Sequence, residues 1–229
     1  MTPSNAEYSS LLSDVRQSYR LLHDYQRLIL DSLKYIGNQL NMPYRGGSSR
    51  FSKEQPGKGK GELGNYGWDW LGMYAYEFRF EYRHGNRRGI PLDKGQSVTL
   101  TATVFSDTGY YQNEETHQNK QIVDGFASTA SSSSKVVFCL FAEPSRHLST
   151  LYEPKTIRAL IAPNAPWPSS LAEESVFGFC REVSDLFTQD SADRLVDELV
   201  NLASHHNIPI YRTGQAPHER EQPDSEPSS

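Results

Sequence analysis

The stretch WDWLGMYAYEFRFEYR, residues 68–83, decides the fold. From Trp68 to Tyr82 every second residue is aromatic except Gly72, and from Glu77 to Arg83 the intervening positions alternate between glutamate and arginine. A period of two residues places successive side chains on opposite faces of a β-strand. We therefore predict one long strand with an aromatic face and a charged face.

The aromatic face has two interpretations. It is either the core face of a sheet covered by helices, or a platform on which nucleobases or a protein partner stack. We favour the core, because each aromatic side chain buries about 150–250 Å² and the chain has few other large apolar runs. The charged face from Glu77 to Arg83 is expected to lie in solvent.

Further strands follow along the chain. Residues 97–106 alternate valine, leucine or alanine with serine or threonine after a turn-rich segment, so they predict the second strand of an antiparallel hairpin. The apolar run 135–141 predicts a third, buried strand, and 156–161 a weaker fourth. Residues 208–211 are expected to return as a short edge strand limited by Pro209. The polar stretch 107–134 is expected to be a long loop.

The N-terminal region predicts a long helix. Ser4 and Glu7 have the spacing of a capping box, and Gly37 and Pro43 mark the end. Apolar residues recur at alternating spacings of three and four, with one polar member: Leu12, Val15, Tyr19, Leu22, Gln26, Ile29, Leu33, Ile36 and Leu40. We favour packing of this stripe within the chain, with pairing to another helix as the alternative. The candidate partner-binding residues are Leu12, Tyr19, Gln26 and Leu33.

Two further helices are predicted near the C-terminus, one from Ser170 to Leu186 and one from about Ser191. The fold class is then α+β: a long N-terminal helix, an antiparallel sheet of three to five strands, and two C-terminal helices packed on one sheet face. We expect a single domain over residues 1–211 and a disordered tail over 212–229, which is polar and contains three prolines.

Residues 45–65 are rich in glycine and in basic side chains, and predict a flexible loop. They do not form a phosphate-binding P-loop, because Glu62 stands where serine or threonine is required. An electrostatic contact of this loop with phosphates is the alternative to a merely solvated loop. Its candidate nucleic-acid-binding residues are Arg45, Arg50, Lys53, Lys58 and Lys60.

Composition narrows the functional classes. The chain has 229 residues and a net charge of −5, which disfavours a protein that simply coats nucleic acid. Its longest apolar runs are too short to span a membrane, and residues 1–10 lack the pattern of a secretory signal, so we expect a cytoplasmic protein. The two cysteines and seven histidines do not cluster in any metal-binding or nucleophile motif. We predict neither a metal nor a cofactor.

The resulting functional prediction is a non-enzymatic protein-interaction module, a subunit or regulator of a cytoplasmic complex. Its partner would be another protein or a second copy of the chain, bound through the N-terminal helix. The first alternative is a nucleic-acid-binding protein that uses the basic loop and the aromatic strand. The second is a hydrolase acting on nucleic acid or a nucleotide, whose polar groups come together only in the folded chain near Glu77, Arg79, His84 or His117.

Overall fold

The computed structural model describes residues 5–51, 72–83, 97–112, 123–142 and 150–214. Its centre is one five-stranded sheet in which neighbouring strands pair antiparallel in chain order. The strands are β1 (Tyr44–Ser49), β2 (Ala75–Arg83), β3 (Ser97–Phe105), β4 (Lys135–Phe141) and β5 (Phe177–Glu182). The predicted hairpin of the aromatic strand with residues 97–106 and the third strand at 135–141 are confirmed.

The sheet is accompanied by helices of very different length. They are α1 (Asn5–Gln39), α2 (Gly109–Gln112), α3 (Pro154–Ile161), α4 (Ser169–Glu173) and α5 (Gln189–His205). Single 3₁₀ turns occur at Gly72–Tyr74, Val123–Gly125, Thr150–Tyr152 and Val183–Leu186. The α+β class with a long N-terminal helix is therefore confirmed. Among the described residues, no helix is both long and apolar enough to cross a bilayer.

The first face of the sheet carries the main core. Phe78, Phe80 and Tyr82 of β2 are buried there, so the aromatic face is core, as predicted. The covering layer comes from the C-terminal half of α1 and from α5, whose apolar residues share one cluster with these rings. The members from the two helices are Ile29, Leu33, Ile36, Leu195, Val196, Leu199 and Ala203.

The second face is also covered, which corrects the prediction that the charged side of β2 is solvated. Glu77 is 8% exposed and Glu81 is 4% exposed. This face is covered by α2, α3 and α4 and their connections, which form a second apolar cluster around Phe105 and Cys139. The C-terminal helices therefore divide between the two faces instead of sharing one: α5 lies on the first, while α3 and α4 lie on the second.

Two local predictions in the C-terminal half are wrong. The helix predicted from Ser170 to Leu186 ends at Glu173, after which the chain turns at Ser175, where φ is 58°, and forms the edge strand β5. Backbone pairing to β4 outweighs the helical periodicity here. Gly178 permits the close approach, because a Cβ at this position would lie 2.0 Å from the carbonyl oxygen of Phe138. Residues 156–161, predicted as a strand, belong to α3, which starts with a proline in its first turn.

Three segments predicted as loop, strand or tail also differ. Residues 45–49 of the predicted loop lie in the edge strand β1, and the part from 52 to 65 lies outside the described residues. Ile208 and Ile210 are buried in the main core without forming a strand. Thr213, placed in the tail by the sequence, donates its backbone N–H to the carbonyl oxygen of Gln39 at 2.7 Å. Residues 215–229 lie outside the described residues.

Candidate interaction surface

Helix α1 is built in two halves that share one apolar spacing. In its C-terminal half, Ile29, Leu33 and Ile36 are buried in the main core, and Leu40, directly after the helix, is buried with them. In its N-terminal half, apolar residues at the same spacing face solvent, and each is between 40% and 67% exposed. We call the latter the N-terminal stripe: Tyr8, Leu12, Val15, Tyr19 and Leu22. A contiguous apolar surface of this kind on a folded domain indicates an interaction site.

Hydrogen bonds fix α1 to the rest of the domain on one side. The hydroxyl of Ser32 donates to the carbonyl oxygen of Leu186 at 2.7 Å. The hydroxyl of Tyr35 donates to Asp193 at 2.8 Å. Nearer the N-terminus, the hydroxyl of Tyr25 donates to Ser106 at 3.1 Å. Because these bonds hold the rotation of the helix about its axis, the N-terminal stripe cannot turn onto the sheet of its own chain.

Tyr25 marks the place where α1 leaves the sheet. Burial raises the pKa of its phenol above the usual 10.0, so the group stays a neutral hydrogen-bond donor. The acceptor, Ser106, in turn donates to the carbonyl oxygen of Met73 at 2.6 Å. The ring of Tyr25 packs edge-on against Phe187, with 6.4 Å between centroids. These contacts join α1 to the 3₁₀ turn before β2 and to the end of β3.

A groove opens at this junction and continues the N-terminal stripe toward the sheet. Its volume is about 470 Å³. It is lined by Tyr19, Leu22, His23, Tyr25, Gln26, Met73, Tyr74 and Ser106. We call it the junction groove. The contribution of Met73, Tyr74 and Ser106 arises from tertiary packing, and no sequence signal places these residues beside α1.

The structure separates the four candidate partner-binding residues. Leu12 and Tyr19 are exposed on the N-terminal stripe, and Gln26 is half-buried in the lining of the junction groove. Leu33 is 2% exposed and belongs to the main core. Its inclusion in a docking surface is therefore corrected, because no partner reaches it while the domain is folded.

The candidate nucleic-acid-binding residues are separated as well. Arg45 is exposed on the edge strand β1. Arg50 is exposed as a residue, but its guanidinium donates to the carboxylate of Glu77 at 2.7 Å and lies 3.9 Å from the centroid of the Tyr152 ring. Lys53, Lys58 and Lys60 lie outside the described residues. The described part of the predicted basic loop thus contributes one exposed cation and one cation engaged within the domain.

The side chains that could act in catalysis or bind a metal ion do not lie together in the described part of the chain. Burial raises the pKa of the Cys139 thiol to about 12 and that of Cys180 to about 11. Glu77 is buried and Arg79 is half-buried beside it on the second face, whereas His84 and His117 lie outside the described residues. Within the described ranges, no group of three His, Cys, Asp or Glu side chains is placed to hold a metal ion.

A polar cavity of about 390 Å³ lies beside the edge strand β5. Its wall includes Trp167, Lys135, Arg181 and Glu182. Lys135 pairs with Glu182, Arg181 pairs with Glu198 of α5, and Asp185 also lines the cavity. Three of the four charged side chains in the wall are therefore held in ion pairs.

An apolar groove of about 400 Å³ lies between α1 and strands β1 and β2, with Leu30 and Tyr44 on its exposed rim. Phe78 and Phe80, both members of the main core, form its floor. It lies on the opposite side of the Tyr25 junction from the stripe.

The fold and this surface define a class: an α+β domain with a sheet covered on both faces and a first helix that extends beyond its own core. A family model described as PM0109 matches residues 5–209, and the chain belongs to this family. The match includes all of α1, so the projecting helix is part of the unit that the family shares. Comparisons with curated proteins and with solved structures gave no match.

Proposed function

We propose that the protein is a non-enzymatic interaction module, a subunit or regulator of a cytoplasmic complex, whose docking surface is the N-terminal stripe. The observation that carries this proposal is the exposure of Leu12, Val15, Tyr19 and Leu22 on a helix whose continuation is buried in the core. The same spacing that packs Ile29 and Leu33 onto the sheet presents these residues to solvent. A partner that covers the stripe would bury these residues as the sheet buries Ile29 and Leu33.

Energetics supports a role for the stripe. Fully burying a leucine or valine side chain stabilises the buried state by about 1.5–3 kcal/mol, and the stripe leaves about half of each side chain in water. Tyrosine adds a large, rigid contact area and a polar hydroxyl, which is why it is common at protein interfaces. Tyr8 and Tyr19 both lie on this surface. The stripe therefore has the composition expected of an interface core.

The junction groove gives the surface a defined end. A partner helix or strand that packs along the stripe would also contact Met73 and Tyr74 at the groove. Convex apolar stripes bind with little positional preference, whereas a groove selects one side chain of the partner and so fixes its register. Stripe and groove together favour a specific partner over general adhesion.

The test compares two single substitutions on α1. Tyr19→Asp places a charge in the centre of the stripe, whereas Leu21→Asp places the same charge about 160° away around the helix at a site that is 70% exposed. Tagged wild-type and variant chains are purified from the native host, and the co-purifying proteins are quantified by mass spectrometry. We expect at least one stoichiometric partner to bind wild type and Leu21→Asp and to be lost with Tyr19→Asp.

Circular dichroism and a urea titration establish that both variants are folded. Equal recovery of every co-purifying protein with Tyr19→Asp and with wild type would refute the stripe as the docking surface. A purified chain that neither self-associates nor retains any partner would refute the interaction module itself.

A further inference from the structure

We propose that the partner of the N-terminal stripe is a second copy of this chain, paired through α1 as a parallel, in-register, two-stranded coiled coil over Tyr8–Gln26. This inference rests on the proposed function and specifies its partner. The paired segment is about 28 Å long. Within it, the residues of the stripe together with Gln26 occupy every a and d position of consecutive heptads.

The heptad positions can be assigned residue by residue. Leu12, Tyr19 and Gln26 occupy position a, and Tyr8, Val15 and Leu22 occupy position d. Knobs-into-holes packing of two helices requires this alternation of three and four. Among these a and d positions Gln26 is the one polar residue, and it is half-buried at the junction groove. In a parallel pair, the two Gln26 amides lie opposite each other, and each can both donate and accept a hydrogen bond.

The charges beside the stripe select the orientation. In the parallel pair, position g of one helix neighbours position e of the other. Arg16 at position e then meets Leu11, against which its aliphatic stem can pack, and His23 meets Ser18. An antiparallel pair that covers the whole stripe would be centred on Val15 and would bring the two Arg16 guanidiniums together. Like charges at this position destabilise pairing, so the parallel arrangement is favoured.

The same geometry explains why pairing stops at Gln26. In a straight α-helix, a seven-residue repeat drifts by about 20° per heptad around the axis. Between Val15 and Leu33 this drift amounts to about 50°, and residues 8–24 are exposed on every side of the helix. Ile29 and Leu33, the next members, are buried against the sheet of their own chain. Beyond Gln26, each helix is engaged with its own domain and the two copies diverge.

The surface area buried between the two helices determines the expected affinity of the dimer. With each stripe side chain about half exposed, pairing removes about 500 Å² of surface per copy from water, hence about 1,000 Å² in total. That lies at the lower limit of specific interfaces, so we expect a reversible dimer with a dissociation constant between about 1 and 100 µM.

Sedimentation equilibrium over about 1 µM to 1 mM chain tests the assembly. Wild type and Leu21→Asp should pass from monomer to dimer with rising concentration. Tyr19→Asp should shift the dissociation constant at least tenfold toward weaker association. A wild-type chain that stays monomeric at the highest concentration overturns the inference. In that case the proposed function still stands if Tyr19→Asp loses a different protein that wild type retains.

Single cysteines test the orientation. In the parallel pair, Leu22→Cys faces its own counterpart, so oxidation should give a covalent dimer. In the antiparallel pair the two Leu22 positions lie about 21 Å apart along the axis, far beyond disulfide reach. Leu21→Cys is the matched control on the other side of the helix. Wild type should give no dimer, because Cys139 is buried and Cys180 is half-buried.

Rapid cross-linking of Leu22→Cys, with little for Leu21→Cys, would support the parallel pair. Absence of cross-linking in a Leu22→Cys chain that still sediments as a dimer would overturn it. So would equal rates for the two variants, because this would show random collision.

Discussion

Replacing each of two leucines at the same heptad position by alanine compares the packing of the two halves of α1. Leu12 and Leu33 both occupy position a, but Leu12 is 55% exposed and Leu33 is 2% exposed. Each is replaced by alanine in an otherwise unchanged chain. Because the chemical change is identical, a difference in the free energy of unfolding measures the packing around each side chain.

The expected magnitudes follow from burial. Removing the buried side chain of Leu33 eliminates its transfer free energy and leaves a cavity between α1 and the sheet, at a cost of about 2–5 kcal/mol. Leu12 has about half of its side chain in water in the folded chain, so Leu12→Ala costs less than about 1 kcal/mol. Alanine is also the better helix former, which offsets part of this loss. In thermal unfolding, the two variants should differ by roughly 5–15 °C.

The assay is urea unfolding followed by circular dichroism, at a chain concentration near 1 µM, where at most about half of the chains are expected to be dimeric. Similar slopes of free energy against urea are required before midpoints are compared. Equal losses for the two variants would refute the division of α1 into a packed and a projecting half. A loss above about 2 kcal/mol for Leu12→Ala would show that the N-terminal stripe is packed against its own domain.

Three further outcomes test the packing around β5 and the buried thiols. Gly178→Ala should destabilise the chain by at least about 1–3 kcal/mol, because its Cβ would lie 2.0 Å from the Phe138 carbonyl oxygen and 2.6 Å from the Trp167 ring. The control is Ser170→Ala, on the exposed side of α4, and equal melting temperatures for the two variants would contradict this prediction. At pH 8 the native chain should resist iodoacetamide at both cysteines, because burial raises the pKa of Cys139 to about 12 and that of Cys180 to about 11 and so keeps the thiols protonated. Mass spectrometry should find both cysteines modified when the chain is unfolded in urea. Rapid labelling of Cys139 in the native chain would argue against its burial. The pKa of His206 should lie below the usual 6.5, since burial and the neighbouring His205 disfavour its charged form, and this group therefore contributes stability above pH 6.5 that is lost as the pH falls through its folded pKa. NMR titration of the imidazole measures this pKa, and a midpoint above 6.5 in the wild-type chain would contradict the prediction. Phe177→Ala should raise the pKa of His206 because it removes the ring stacked on the imidazole at 3.5 Å.

Elements whose local pattern agrees with their burial could be predicted from sequence. The two-residue period of β2 continues through Phe78, Phe80 and Tyr82, all buried on the first face. The alternation in β3 and the continuous apolar run of β4 likewise predict strands, and both strands are buried in the sheet. Helix α5 has the spacing of an amphipathic helix, and Thr188 caps it by accepting the N–H of Ser191 at 3.2 Å.

Strand β5 could not be predicted because its structure is decided elsewhere in the chain. Val176, Phe179 and Val183 have helical spacing, yet they pack in different places: Val176 joins the second cluster, whereas Phe179 and Val183 pack with the first. Short apolar runs fit a helix and a buried strand equally well. Pairing of Phe179 with Phe138 across the sheet settles the choice.

The prediction that the charged face of β2 lies in solvent was wrong for a related reason. Alternating Glu and Arg indicate a solvated face only if no second layer covers it. That layer comes partly from α2 and partly from segments about 75–95 residues later, including Ile157 and Leu171, and their spacing carries no sign of the strand they cover. Glu77 is accommodated there because Arg50, from the segment after β1, supplies an ion pair at 2.7 Å. Buried carboxylates need such a partner.

For α1, the sequence favoured packing within the chain, and dimensions explain why only half of the helix does so. A helix of 35 residues is about 52 Å long, whereas a nine-residue strand such as β2 extends about 30 Å. Five strands side by side span about 24 Å. Neither dimension of the sheet can cover the whole helix, so about 20 Å must project beyond it. An apolar stripe that continues over this projection cannot be satisfied by the chain that carries it, and for that reason we assign it to a partner.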